Sequence, residues 1–201
     1  MTEPSRAIDF WFELGSNYSY LSAMRIEALA AGAGIAVRWQ PFLLGPIFAS
    51  FGWPTSPFVL QPQKGAYVWT DMARQCAKYG LPWKRPSVFP RSAVLPMRVA
   101  AACASEPWIG AFVGALMRAN FANDEDIDSE ASVLDALGSL GLPAAAILAD
   151  AGSPANRPKL RAQTERAIAL GIFGAPTFFV GPEMFWGNDR LDDAIALARG
   201  G

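Results

Sequence analysis

A chain without histidine lacks the commonest general base and the commonest metal ligand, and this sequence of 201 residues contains none. Ser–His and Cys–His mechanisms are thereby excluded. Cys76 and Cys103 are the only cysteines; they lie far apart and form no C-x-x-C, so neither a dithiol redox centre nor a structural zinc site assembles from them. Both read as buried apolar fillers, and no metal site is expected. Three short blocks carry the remaining chemistry. In Glu13-Leu14-Gly15-Ser16-Asn17-Tyr18, Ser16 falls where an apolar run gives way to a helical pattern. Its hydroxyl either caps that helix or, together with the free N–H groups of the helix start, faces an anion such as a thiolate. Gly174-Ala175-Pro176-Thr177 precedes a second apolar run. A cis bond before Pro176 would turn the Ala175 backbone outward toward an extended peptide ligand, whereas a trans bond makes an ordinary turn. In Trp186-Gly187-Asn188-Asp189-Arg190, either Asn188 or Asp189 caps the helix that follows, or Asp189 accepts from the ammonium group of a small peptide while Arg190 pairs with a neighbouring carboxylate.

These blocks stand near opposite ends of the chain, so they need a scaffold that joins the ends. Residues 8–13 form an aromatic and β-branched run that reads as a buried strand. A helix over 16–31 follows, with Gly32 and Gly34 at its end, and residues 35–40 alternate as a second strand stopped by Pro41. The spacing then predicts helices over 65–79, 92–104, 108–121, 129–140, 143–151 and 157–170 between Pro-rich connections. Strands over 177–180 and 184–186 and a helix over 191–199 complete the order. A βαβ unit and a terminal ββα unit can share one sheet. The expected class is therefore α/β, a thioredoxin-like fold built from residues 1–41 and 155–201 with an all-helical insertion over 42–154.

Just over half of the residues are hydrophobic, enough for one sizeable core, and 17 basic against 18 acidic residues leave a net charge of -1. That balance provides no footprint for nucleic acid or for an anionic membrane surface, so the expected partner is a small molecule. Met1-Thr2-Glu3-Pro4-Ser5-Arg6 has none of the marks of a secretory leader, and Pro, Gly or charge interrupts every apolar run short of the ~18 residues of a membrane span. A cytoplasmic protein is expected.

Taken together, the blocks resemble the 2-hydroxychromene-2-carboxylate isomerases, relatives of the kappa-class glutathione transferases and of DsbA. The resemblance rests on four blocks, in order, across nearly the whole chain. Ile8-Asp9-Phe10-Trp11-Phe12 leads into Ser16-Asn17-Tyr18-Ser19-Tyr20-Leu21; Lys64-Gly65-Ala66-Tyr67 comes next, with Asp71. Then follow Gly171-Ile172-Phe173-Gly174-Ala175-Pro176-Thr177-Phe178-Phe179 and Trp186-Gly187-Asn188-Asp189-Arg190-Leu191. The resemblance implies a glutathione-dependent cis/trans isomerase acting on a small aromatic keto acid, and a homodimer. It implies that Ser16 replaces the reactive cysteine of the disulfide oxidoreductases and hydrogen-bonds the glutathione sulfur. Ala175 and Pro176 would meet the glutathione backbone, and Trp186, Gly187, Asn188 and Asp189 its γ-glutamyl end. Asn17 stands where many relatives carry proline, and it adds a hydrogen-bonding group beside the substrate. Lys64, Arg85 and Arg91 are the expected partners of the substrate carboxylate, or else solvated surface charges. Phe48, Phe51, Trp53, Phe58, Trp83 and Phe89 suit either a cover for a flat ligand or core. A kappa-like transferase or peroxidase and a non-catalytic binding module are the competing readings.

Overall fold

The computed structural model describes residues 6–200; Met1 to Ser5, examined above for a leader, lie outside the described residues. Strand β1 (Ala7–Phe12) leads through the Glu13–Ser16 turn into α1 (Asn17–Ala23) and α2 (Ile26–Ala33), and β2 (Ala36–Pro41) runs parallel to β1. Helices α3 (Leu44–Ser50), α4 (Pro57–Leu60), α5 (Pro62–Tyr79), α6 (Val94–Ala102) and α7 (Ile109–Arg118) follow. A π turn (Ala119–Asn123) extends α7, and α8 (Glu130–Gly138), α9 (Ala144–Ala151) and α10 (Lys159–Ala169) lead back to the sheet. There β3 (Thr177–Val180) and β4 (Glu183–Trp186) form a hairpin, and a short 3-10 turn (Asn188–Arg190) precedes α11 (Leu191–Ala198). The sheet order is β2-β1-β3-β4, with β3 antiparallel to β1. The two ends of the chain thus build one sheet, as the strand patterns predicted.

The helix expected over 16–31 is two helices. Arg25 leaves helical geometry (φ -121, ψ -30), and its N–H donates to Ser22 O at 3.0 Å, a tighter turn than the α ladder. Its guanidinium explains the break, for it lies 3.8 Å from the Tyr79 ring centroid and donates to Asn188 Oδ1. Pro41 belongs to β2 rather than stopping it. Ala36 N–H donates to Arg6 O and Phe42 N–H to Phe12 O, so the even-numbered residues bond β1 and the missing N–H of Pro41 falls on the open edge. Helices α3 and α4 were absent from the sequence reading because Pro46, Pro54 and Pro57 break the periodicity there.

The core begins on β1. Ile8, Phe10 and Phe12 face one way, and Phe10 stacks on Phe178 of β3 at 5.4 Å between ring centroids and meets Trp39 of β2 edge-on at 5.2 Å. The same cluster continues through Phe112, Leu116, Phe121, Val133 and Leu137, so the helical stretch and the sheet share it. Burying one such aromatic side chain contributes about 1.5–3 kcal/mol. On the other face Trp11 packs with Phe42, Leu44, Phe48 and Ala167 in a second, smaller cluster, on which Ala175 rests. Among the described residues no helix is long and apolar enough to cross a membrane.

Candidate functional site

Ser16 is the residue at which β1, α1 and the β3 approach converge. Its backbone is extended (φ -86, ψ 116), and its Oγ accepts from Ser19 N–H at 3.2 Å, so it caps α1 as its position predicted. The same hydroxyl donates to Ala175 O at 3.2 Å, across 159 residues of sequence. The Ala175-Pro176 peptide is cis, and Thr177 Oγ1 donates to Gly174 O at 2.9 Å to close that turn. Ser16 is 6% exposed, and Asn17 beside it 2%. The Asn17 Nδ2 and the Ser19 Oγ are buried without a hydrogen-bond partner. An orphaned amide donor next to a capping hydroxyl is costly to leave bare, and it is the kind of group that a ligand satisfies.

The third block closes on the second. Gly187 N–H donates to Pro176 O at 3.0 Å, and the Trp186 ring packs edge-on against Phe173 at 4.8 Å. Gly174 has to be glycine here because a Cβ would run into the Trp186 indole nitrogen. Gly187 adopts φ +109, a conformation that side chains disfavour. Neither Asn188 nor Asp189 caps α11. The Asn188 side chain turns inward instead: Oδ1 accepts from Ser22 Oγ at 3.1 Å and from Arg25 Nη1 at 3.2 Å, and Nδ2 donates to Tyr79 Oη at 3.4 Å. Expected at a ligand's γ-glutamyl end, this carboxamide joins α1, α2 and α5 to the end of the chain. Asp189 stays outward, its side chain 73% exposed and 3.3 Å from Arg190 Nη2.

The three basic residues assigned to a substrate carboxylate differ in what holds them. Lys64 is exposed at the start of α5, and the Arg85 guanidinium lies 5.2 Å from the Trp69 ring centroid. Arg91 is committed to structure: its side chain, 9% exposed, pairs with Asp124 Oδ1 at 2.8 Å and donates to Asn120 Oδ1 at 2.9 Å. Asn120 in turn donates from Nδ2 to Leu14 O at 3.1 Å, which pins the turn before Ser16. The Ser87 N–H and then Arg91 hold the Asp124 carboxyl down at about 2. Arg91→Ala is therefore expected to lower the thermal denaturation midpoint by several degrees and leave the substrate KM within about twofold. A raised KM at an unchanged midpoint would return Arg91 to the substrate.

Two groups at the site were not singled out by sequence reasoning. Tyr18 donates to Asp71 Oδ2 at 2.7 Å, and burial together with that carboxylate pushes its phenol well above the ordinary range. It stays protonated. Glu13 follows β1 directly; burial pushes its carboxyl up to about 7, although Leu44 N–H donates to it at 3.2 Å. The signal was a lone acid closing an aromatic strand, which reads equally as an exposed strand end. Neither cysteine is a candidate nucleophile: burial pushes the Cys76 thiol up to about 11 and raises that of Cys103.

The domain family described as DSBA-like thioredoxin domain matches residues 7–196. Over 191 residues the chain is 30% identical to 2-hydroxychromene-2-carboxylate isomerase from Sphingobium xenophagum, covering 94% of this chain and 95% of the relative. This chain belongs to the 2-hydroxychromene-2-carboxylate isomerase family. The solved structure of a 2-hydroxychromene-2-carboxylate isomerase agrees, at 27% identity, a TM-score of 0.85, and coverage of 95% of this chain and 93% of that one. Cytosolic disulfide reductase DsbM from Pseudomonas aeruginosa, solved with GSH, is similar in fold: TM-score 0.62, 20% identity, and 95% and 96% of the two chains covered. The expected thioredoxin-like, DsbA-type fold is thus found, on an isomerase-family chain whose strand-to-helix turn carries Ser16.

Proposed function

We propose that this isomerase-family protein uses glutathione, and interconverts 2-hydroxychromene-2-carboxylate and trans-o-hydroxybenzylidenepyruvate or a closely similar aromatic keto acid. The observation that carries this reading is the Ser16 hydroxyl held 3.2 Å from Ala175 O, in a chain whose Cys76 is buried, whose Cys103 is half-buried rather than buried as expected, and whose two thiols are both raised in pKa. A thiol for this site has to arrive with a ligand. The residues present fit glutathione: Asn17 Nδ2 lies beside Ser16 as a buried donor without a partner, and Gly174 and Gly187 let the Trp186 ring and the Asp189 carboxylate close over the backbone next to the cis-proline turn. The exposed Asp189 carboxylate suits an ammonium group.

Bound glutathione supplies a thiol whose reversible addition to the conjugated double bond of the substrate permits rotation about that bond. Ser16 holds and polarises the sulfur through its hydroxyl, which exchanges its present acceptor for the ligand. Ala175 offers its backbone to the peptide, with Pro176 fixing that approach. Trp186 covers one side of the tripeptide, Gly187 lets the backbone come close, and Asp189 takes the γ-glutamyl ammonium. Asn17 orients the acceptor oxygen of the substrate. The test is the ultraviolet change on adding the protein to 2-hydroxychromene-2-carboxylate with and without glutathione. Conversion that requires glutathione is the expected result. A stable conjugate with a chloronitroaromatic acceptor and no isomer interconversion would overturn it in favour of a transferase.

A further inference from the structure

We propose that Asn188 is a positioning residue: held inward by α1, α2 and α5, it turns the Asp189 carboxylate outward beside the cis-proline turn and so gives the site its preference for a γ-glutamyl ammonium. This inference rests on the glutathione reading. Asn188 is 5% exposed, and its Oδ1 is taken by two donors, Ser22 Oγ at 3.1 Å and Arg25 Nη1 at 3.2 Å. Two donors on one oxygen fix which way the amide is turned, and Nδ2 is left to donate to Tyr79 Oη at 3.4 Å. The carboxamide is thereby occupied by the protein at both of its polar atoms.

The groups that hold it are themselves held. The Arg25 side chain is 14% exposed, lies against the Tyr79 ring and pairs with Asp192 Oδ2 of α11 at 3.2 Å. It stands where the helix expected over 16–31 breaks into α1 and α2. A buried amide stripped of such partners keeps the full cost of its lost hydration, so the inward position of Asn188 is strongly favoured.

The residues on either side of Asn188 face the site. Gly187 N–H donates to Pro176 O at 3.0 Å, and Arg190 N–H donates to Gly187 O at 3.0 Å, which closes the 3-10 turn. Successive side chains of such a turn point about 120° apart, so an inward Asn188 carries Asp189 outward. The Asp189 carboxylate folds back over Gly187, where a Cβ would run into its Oδ1, and Arg190 Nη2 holds its Oδ2 at 3.3 Å. Oδ1 is thus the oxygen presented over the backbone that bonds Pro176. Released from its three partners, Asn188 would leave the Asp189 carboxylate present but without a fixed place. That loss touches only the γ-glutamyl end of the ligand, because the cysteinyl and glycyl parts fall to Ser16 and Ala175.

The test compares glutathione with cysteinylglycine, the same peptide without its γ-glutamyl residue. Both are titrated calorimetrically into the unaltered protein, Asn188→Leu and Asn188→Asp. The unaltered protein is expected to bind glutathione about tenfold more tightly than cysteinylglycine, as one charge-assisted contact provides. Asn188→Leu keeps the volume and removes the hydrogen bonds; it is expected to bring glutathione down to about the affinity of cysteinylglycine, itself changed by less than about twofold. Asn188→Asp keeps acceptors for Ser22, Arg25 and the Tyr79 hydroxyl, and is expected to hold glutathione within about twofold of the unaltered protein. An amide that itself donated to a ligand carboxylate would lose at least as much with Asp as with Leu, since Asp repels that carboxylate. That outcome would overturn the inference and leave the glutathione reading standing. So would equal affinities of the unaltered protein for the two peptides, or a loss in Asn188→Leu that is shared by both or absent from both. Failure of the unaltered protein to bind glutathione would overturn both. Should Asn188→Leu fail to fold, Ser22→Ala deletes one donor to Oδ1 and decides the matter: a loss of about threefold confined to glutathione is expected, and a shared loss or none would overturn the inference.

Discussion

Ser16→Ala is expected to lower isomerase turnover by about 10²–10³-fold, the usual consequence of removing one preorganised donor from a site where charge develops. The hydroxyl has two jobs in the structure, and the substitution separates them. As the cap of α1 it accepts from Ser19 N–H, and loss of a cap costs about 1 kcal/mol of stability. As the donor now facing Ala175 O it is the group placed to hold a sulfur in place of that carbonyl. Turnover followed in the ultraviolet, set beside a thermal denaturation curve of the same preparation, distinguishes them. A drop of a few degrees with turnover unchanged would leave capping as the whole role of Ser16.

The largest effect on stability is expected from Phe121→Ala, about 3–5 kcal/mol. Phe121 is fully buried in the π turn after α7, stacked on Tyr20 at 5.5 Å and on Trp83 at 6.4 Å between ring centroids. Truncation empties a space walled by rigid aromatic rings, and rings that are held from several sides cannot collapse into it. Since domains of this size are stable by only about 5–15 kcal/mol, the loss is a large share of the total. Urea denaturation checks it: the midpoint should fall with little change of slope. The neighbouring Asn120 ties the same turn to Leu14 O, so the variant is also expected to loosen the approach to Ser16. An unfolding free energy within about 1 kcal/mol of the unaltered protein would mean that the aromatic stack repacks freely.

Local patterns carried the scaffold. An aromatic and β-branched run gave β1 and alternation gave β2, each to within a residue, and glycines at Gly34 and Gly80, both in the left-handed region, mark the ends of α2 and α5 where the sequence placed helix ends. The strand-to-helix turn holding Ser16, the Gly174–Thr177 turn and the Trp186–Arg190 connection were all legible as blocks, because each depends on residues a few positions apart, while the choice of a cis bond before Pro176 was left open by the sequence. Helices α3 and α4 escaped for the same reason, since prolines disrupt the short-range signal there.

What a polar side chain does was another matter. Arg91 and Asn188 read as ligand-binding residues and are spent inside the protein, on Asp124 and Asn120 in one case and on Ser22, Arg25 and Tyr79 in the other. Glu13 read as a strand end and is a shielded carboxyl with its ordinary acidity suppressed. By itself the sequence determined the order of elements, the lack of a thiol or imidazole at the turn, and the place of Ser16. Only the tertiary structure decided which charges are free and which are used up, because a charge is paired or desolvated by groups within a few ångströms, and for Asn188 those groups lie 109 to 166 residues away along the chain.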